Sequence, residues 1–146
     1  MIIIHPFSKQ LRNLKENPKN YPFWEELISL IDEPIIQIGV EGEKQLVSDF
    51  RKNLSFKQLE RLLDDCRTWI SIDSFFQHLA WTKKKKGIVL WGQGDPRIFG
   101  HEENINLLKD RKYLRAKQFR FYDQTEYRKD CWVKPKEVLN QLNLIK

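Results

Sequence analysis

The chain has 146 residues, 32% of them charged and 40% hydrophobic, with a formal net charge of +6. That length and balance fit one globular domain with a sizeable core, residues 1–146, and exclude wholesale disorder. No apolar run is long enough to span a bilayer, and Met1-Ile2-Ile3-Ile4 is too short for a signal peptide.

The first apolar run, Ile2-Ile3-Ile4-His5, fits a buried strand closed by His5-Pro6-Phe7-Ser8. After a polar stretch, Phe23, Trp24, Leu27, Ile28 and Ile31 recur at helical spacing, so a helix is expected from about Pro22 to Pro34. Ile35-Ile36-Gln37-Ile38 reads as a second strand, running into Gly39-Val40-Glu41-Gly42-Glu43. Ser55-Phe56-Lys57-Gln58 is a capping box, and Phe56, Leu59, Leu62, Leu63 and Cys66 are expected on one face of the helix it starts. A strand over Thr68–Ile72, a helix containing His78, and a strand over Ile88–Trp91 follow. Pro135 opens a last amphipathic helix with Val138, Leu139 and Leu142. The region from Asn104 to Asp130 gives no clear pattern. Strands alternating with helices imply parallel units in a doubly wound, mostly parallel α/β sheet with helices on both faces.

Two cysteines, Cys66 and Cys131, lack CxxC or zinc-type His spacing, so the expectation is reduced thiols in the cytoplasm and no metal. Basic residues gather in Lys83 to Lys86 and between Lys109 and Arg120. Four lysines in a loop read as a solvated connection, and no recognisable motif supports a nucleic-acid partner.

The chemistry gathers after the strands. His5 to Ser8, Gly39 to Glu43, Asp73 to His78, and Gly92 to Asp95 all follow predicted strands, so in a parallel sheet they face one crevice. Asp73 and Ser74 are good helix caps, which by itself describes a capped buried helix. Together with the amides that follow, Ser74 can also hold a phosphate at a helix N-terminus. Lys19 supplies a point charge and His78 a hydrogen bond. Glu43 can accept from ribose hydroxyls, and Asp73 from a sugar hydroxyl. Phe75 and Trp91 stand near strand ends, either packed in the core or walling a pocket.

These segments resemble, in order, the C-terminal, donor-binding lobe of the GT-B glycosyltransferases of family 9, the heptosyltransferase type. Lys19-Asn20-Tyr21-Pro22 stands where that family has Lys-x-Trp-Pro. Asp73-Ser74-x-x-x-His78-Leu79-Ala80 stands for its Asp-Ser/Thr-Gly-x-x-His-x-Ala. Leu90-Trp91-Gly92-x-x-Asp95-Pro96 takes the place of its Phe-Gly-x-x-x-Pro loop, and Val133 to Leu142 resembles its closing helix. The resemblance implies a Rossmann-like half of a GT-B enzyme and a nucleotide ligand, an ADP-sugar or ADP-ribose-like molecule. Ser74, His78 and Lys19 would address the diphosphate, Asp73 the sugar and Glu43 the ribose, with Ser8, Gly92, Gly94 and Asp95 in the surrounding loops. The family's glycine after Asp-Ser is Phe75 here, which adds a ring where phosphate would approach the backbone.

In that family a second lobe binds the acceptor and supplies the base, and the first residues here already resemble the first strand of the donor lobe. The expectation is therefore a stand-alone module that holds or sequesters its nucleotide without turnover. Two alternatives stand beside it. One is a glycosyltransferase completed by a separate acceptor lobe or by homo-oligomerisation. The other is an interaction protein whose basic patches bind an anionic macromolecule.

Overall fold

Ile2, Ile3 and Ile4 have no exposed surface, because their strand lies inside a sheet covered on both faces. The structure is a computed structural model that describes residues 1–146. Six strands, β1 (Ile2–His5), β2 (Ile35–Gly39), β3 (Phe50–Lys52), β4 (Thr68–Ile72), β5 (Ile88–Trp91) and β6 (Ile105–Leu108), pair in the order β3-β2-β1-β4-β5-β6. All five pairings are parallel, so the sheet is wholly rather than mostly parallel. The expected strands appear at their expected places. The short edge strands β3 and β6 are additions that their sequence did not signal.

Alternation along the strands divides the core in two. Ile2, Ile4, Ile70, Ile72, Ile88 and Leu90 face α1 (Trp24–Ser29) and α5 (Pro135–Leu144), through Trp24, Leu27, Val138 and Leu142. Ile3, Ile36, Ile38, Trp69, Val89 and Trp91 face α2 (Phe56–Asp65) and α3 (Phe75–Thr82), through Leu59, Leu63, Phe76 and Ala80. Cys131 belongs to the first core and Cys66 to the second, so the sheet separates the two free thiols.

Local signals explain most boundaries. Both halves of the capping box at Ser55 and Gln58 are formed. Phe56, however, is 64% exposed. It is the first helical residue and lies beside the Phe75 ring, 5.9 Å between centroids, rather than in the core. The first helix begins at Trp24, two residues after Pro22, and is only six residues long. Its entry is fixed by side chains instead: Tyr21 Oη donates to Val133 O at 2.8 Å and Trp24 Nε1 to Pro6 O at 3.1 Å. Lys84 turns the lysine run with φ 55°, and Lys83 pairs with Asp64 at 3.1 Å. No helix is long and apolar enough to cross a membrane.

Candidate functional site

Strand order reverses direction at the β1/β4 pair. The chain leaves β1 toward one face and β4 toward the other, which opens a crevice at their C-terminal ends. His5 closes β1, and Asp73 and Ser74 follow β4. Ser74 Oγ lies 2.8 Å from His5 Nδ1 and 3.3 Å from Ser71 Oγ. The same hydroxyl accepts from Phe76 N at 3.4 Å as the cap of α3. Burial lowers the His5 pKa to about 4, so its ring is neutral near pH 7.

Lys19 reaches this point from the loop after β1. Its Nζ lies 3.3 Å from Asp73 Oδ2, and 4.9 Å from the centre of the Tyr122 ring. Asp73 Oδ1 accepts from Gln77 Nε2 at 2.7 Å. The loop itself is pinned. Asn17 Oδ1 accepts from Lys19 N, Asn20 Oδ1 accepts from Ser8 N at 2.8 Å, and Asn20 O accepts from Tyr127 Oη at 3.0 Å. Ser8 thus holds the lysine loop against the end of β1 through its amide.

His78 is exposed, one turn into α3, and its Nδ1 lies 2.8 Å from His101 Nε2. His101 stacks on Trp81 with centroids 4.5 Å apart. Desolvation lowers the His78 pKa first; His101 and Lys19 add to that, while Asp73 pulls the other way.

On the β2 side, Val40 N donates to Glu43 Oε1 at 3.3 Å, and the buried Oε2 has no partner. The carboxylate lies over Gly39, where any side chain would collide with it. Burial raises the Glu43 pKa. A cleft of about 80 Å³ is lined by His5, Gly39, Val40, Asn53, Leu54 and Phe75, and Glu43 does not line it. Phe75 is 47% exposed there, edge-on to His5 at 5.3 Å. Trp91, in contrast, is a core residue, 1% exposed.

The glycine loop after β5 packs tightly in the fold and also borders Lys19 and Asp73: Gly92 and Gly94 line a small pocket with both. A Cβ on Gly92 would stand 2.6 Å from the Trp132 ring, so glycine there admits the C-terminal segment. Gly94 faces Tyr122 Oη, 3.0 Å from where its Cβ would be. Asp95 caps α4 (Pro96–Phe99) through Arg97 N at 2.9 Å and forms a two-pronged pair with Arg111 at 3.0 and 2.8 Å. Those bonds hold its carboxyl below the usual range and leave it engaged within the fold.

His5 closes a predicted strand, but nothing in the sequence pairs it with Ser74. Tyr122, His101, Asn53 and Leu54 belong to none of the motifs. Tyr122 and His101 lie in irregular segments without periodicity, and only proximity in space joins them to the crevice.

No curated protein matches the chain by sequence. A family model described as glycosyltransferase family 9 (heptosyltransferase) matches residues 18–129. Among solved structures, E. coli heptosyltransferase WaaC with ADP is similar over 99% of this chain and 44% of its own, with a TM-score of 0.64 at 15% identity. E. coli ADP-heptose LPS heptosyltransferase II is similar over 99% and 45%, at 0.66 and 16%. TibC, a dodecameric iron-containing heptosyltransferase in complex with ADP-D-beta-D-heptose, is similar over 94% and 36%, at 0.56 and 11%. The chain spans less than half the length of each. No group of three or more His, Cys, Asp or Glu side chains is arranged to hold a metal ion.

Proposed function

Because the chain belongs to glycosyltransferase family 9, the heptosyltransferase family, we propose that its crevice is a donor-lobe site for a nucleotide sugar of the ADP type. One observation carries the reading: Lys19 Nζ stands 3.3 Å from Asp73 Oδ2 at the start of α3. That contact sets an ammonium beside the residue that precedes the Ser74 cap and the first amides of α3, a grouping that suits a diphosphate. The unpartnered Glu43 Oε2 suits a ribose hydroxyl, which would satisfy a buried acceptor. Val40, Leu54 and Phe75 offer an apolar wall for a base beside it. His78 donates to a phosphate as a neutral imidazole, its other nitrogen shared with His101.

The 146-residue chain holds this ligand without turning it over. A general base needs a free lone pair aimed at the acceptor. Asp73, the carboxylate nearest the diphosphate position, is fixed on the donor side by Gln77 at one oxygen and Lys19 at the other, and the lone pairs left over suit a hydroxyl of the donor sugar rather than an acceptor. It orients a sugar hydroxyl better than it removes a proton. Two free, buried thiols suit a reducing, cytoplasmic compartment. Family membership also favours a second reading, transfer by this domain with a partner chain or by self-association, and TibC is a relative that assembles into a dodecamer.

Incubation with excess ADP-sugar and a panel of acceptors, followed by chromatography of the nucleotide, tests the choice. Quantitative recovery of intact ligand, with thermal stabilisation of about 2.7 kcal/mol at a hundredfold excess over Kd, is the expected result. Multiple turnovers by the chain alone overturn the binding reading. Turnover only on adding a partner supports the second.

A further inference from the structure

A cation-rich space lies next to the crevice, not inside the nucleotide cleft. It is a cavity of about 430 Å³ that shares Lys19 and Asp73 with the site above. None of His5, Glu43, Ser74 or Phe75 lines it. Five cationic side chains face it against two carboxylates. Of the five, Lys19 is paired with Asp73, and Arg12 has only a loose 3.9 Å contact with Asp123. Lys9 and Arg120 are paired with no carboxylate and are exposed. Phe119 and Phe121, the two most exposed aromatic residues of the chain at 82% and 78%, flank them.

The wall carrying Arg120 and both rings is built into the fold. Arg115 donates to the carbonyls of Gln118, Arg120 and Phe121 and to Thr125 Oγ1, and its guanidinium lies 3.5 Å over the Tyr122 ring. Gln118 clamps the same segment to the loop after β5, accepting from Asp95 N at 2.8 Å and donating to Gln93 O at 2.9 Å. A segment wound on one guanidinium keeps its outer side chains over the cavity mouth.

Resting on the nucleotide-sugar reading, we propose that this cavity receives the glycosyl unit of the donor, and that this unit carries an acidic substituent, a carboxylate or a phosphate. A sugar attached to a diphosphate at Lys19 and Ser74 extends past Asp73 into this space. Its hydroxyls meet Asp73, and its apolar face meets Phe119 or Phe121. Its acidic group meets Lys9 and Arg120, whose charges are otherwise unanswered; an Arg-carboxylate or Arg-phosphate pair is strong because the guanidinium offers two parallel donors.

The test is calorimetric titration of the full chain with ADP, ADP-glucose and ADP-glucuronate, repeated for Lys9→Ala and Arg120→Ala. Both substitutions remove exposed side chains that hold nothing in the fold, and circular dichroism checks that the fold survives. The expected result is ADP-glucuronate bound about tenfold or more tighter than ADP-glucose. Each substitution should remove most of that preference while leaving ADP affinity unchanged. Equal affinity of the wild-type chain for the two sugars overturns the proposal. So does an equal loss for ADP itself in the variants, because the cavity would then hold the diphosphate. If ADP does not bind at all, the nucleotide reading fails separately. The amide NMR shifts of residues 117–122 with glucuronate 1-phosphate against glucose 1-phosphate then decide the cavity: selective shifts lost in Arg120→Ala support an acidic-sugar site, and identical shifts overturn it.

Discussion

His5 Nδ1 and Ser74 Oγ lie 2.8 Å apart across the switch point of the sheet, joining the end of β1 to the start of α3. The hydroxyl caps α3 through Phe76 N, and on the proposed function it would also contact a phosphate. Ser74→Ala should cost about 1 kcal/mol of stability as a lost cap. It should also weaken ADP by about tenfold. Ser74→Thr keeps the hydroxyl and should recover most of both. Chemical denaturation and titration of the two variants separate these duties; loss of stability with unchanged ADP affinity would leave only the cap.

Acid should expose the cost of burying His5. Its folded pKa is about 4, below the ordinary 6.5, because burial disfavours the charged ring. The unfolded chain therefore binds the proton first as pH falls. Stability is full above about pH 6.5 and declines between there and about pH 4, by roughly 3 kcal/mol in all. His78 adds in the same direction. Urea midpoints at pH 7.5 and 4.5 should differ clearly in the wild type and much less in His5→Asn. An unchanged difference would mean that His5 does not drive the acid limb.

Glu43 Oε2 is buried against Gly39 without a partner. If it accepts from a ribose, the wild-type chain should prefer ADP over 2′-deoxy-ADP or 3′-deoxy-ADP by about tenfold. Glu43→Ala should bind all three equally. A preference surviving in Glu43→Ala would move the ribose elsewhere.

Phe75, where the family resemblance implies a glycine, has its ring half exposed over the cleft, beside Phe56 and His5. Phe75→Leu should change stability by less than about 1 kcal/mol, since little buried area is lost, while weakening ADP several-fold. A loss of about 3 kcal/mol or more, as for a truncated core aromatic, would mark the ring as structural.

The doubly wound sheet was legible because Ile2–His5, Thr68–Ile72 and Ile88–Trp91 are continuous apolar runs, and a parallel strand buried on both faces reads that way. The β6 strand was not: Ile105–Leu108 is only partly buried at the sheet edge and lies in a polar context. The places of Asp73 and Ser74 at the end of β4 and of His78 one turn into α3 were legible from the strand run and the cap that follows it. Partners were not. Asp95 looked like a loop carboxylate facing the crevice, but Arg111, 16 residues on, engages it. Gly92 stands in a glycine loop beside Lys19 and Asp73, and its close contact with Trp132 was equally hidden. Such pairings depend on how the irregular segment after β6 returns over the sheet, and no local pattern encodes that path.

The central claim is that Lys19, held beside Asp73, forms part of a nucleotide diphosphate site. Calorimetric titration of the 146-residue chain with ADP, alongside Lys19→Met, tests it most directly. The account predicts saturable one-to-one binding by the wild-type chain and an affinity lower by about tenfold or more in the folded variant. Absence of saturable binding, or equal affinity in Lys19→Met, would contradict it.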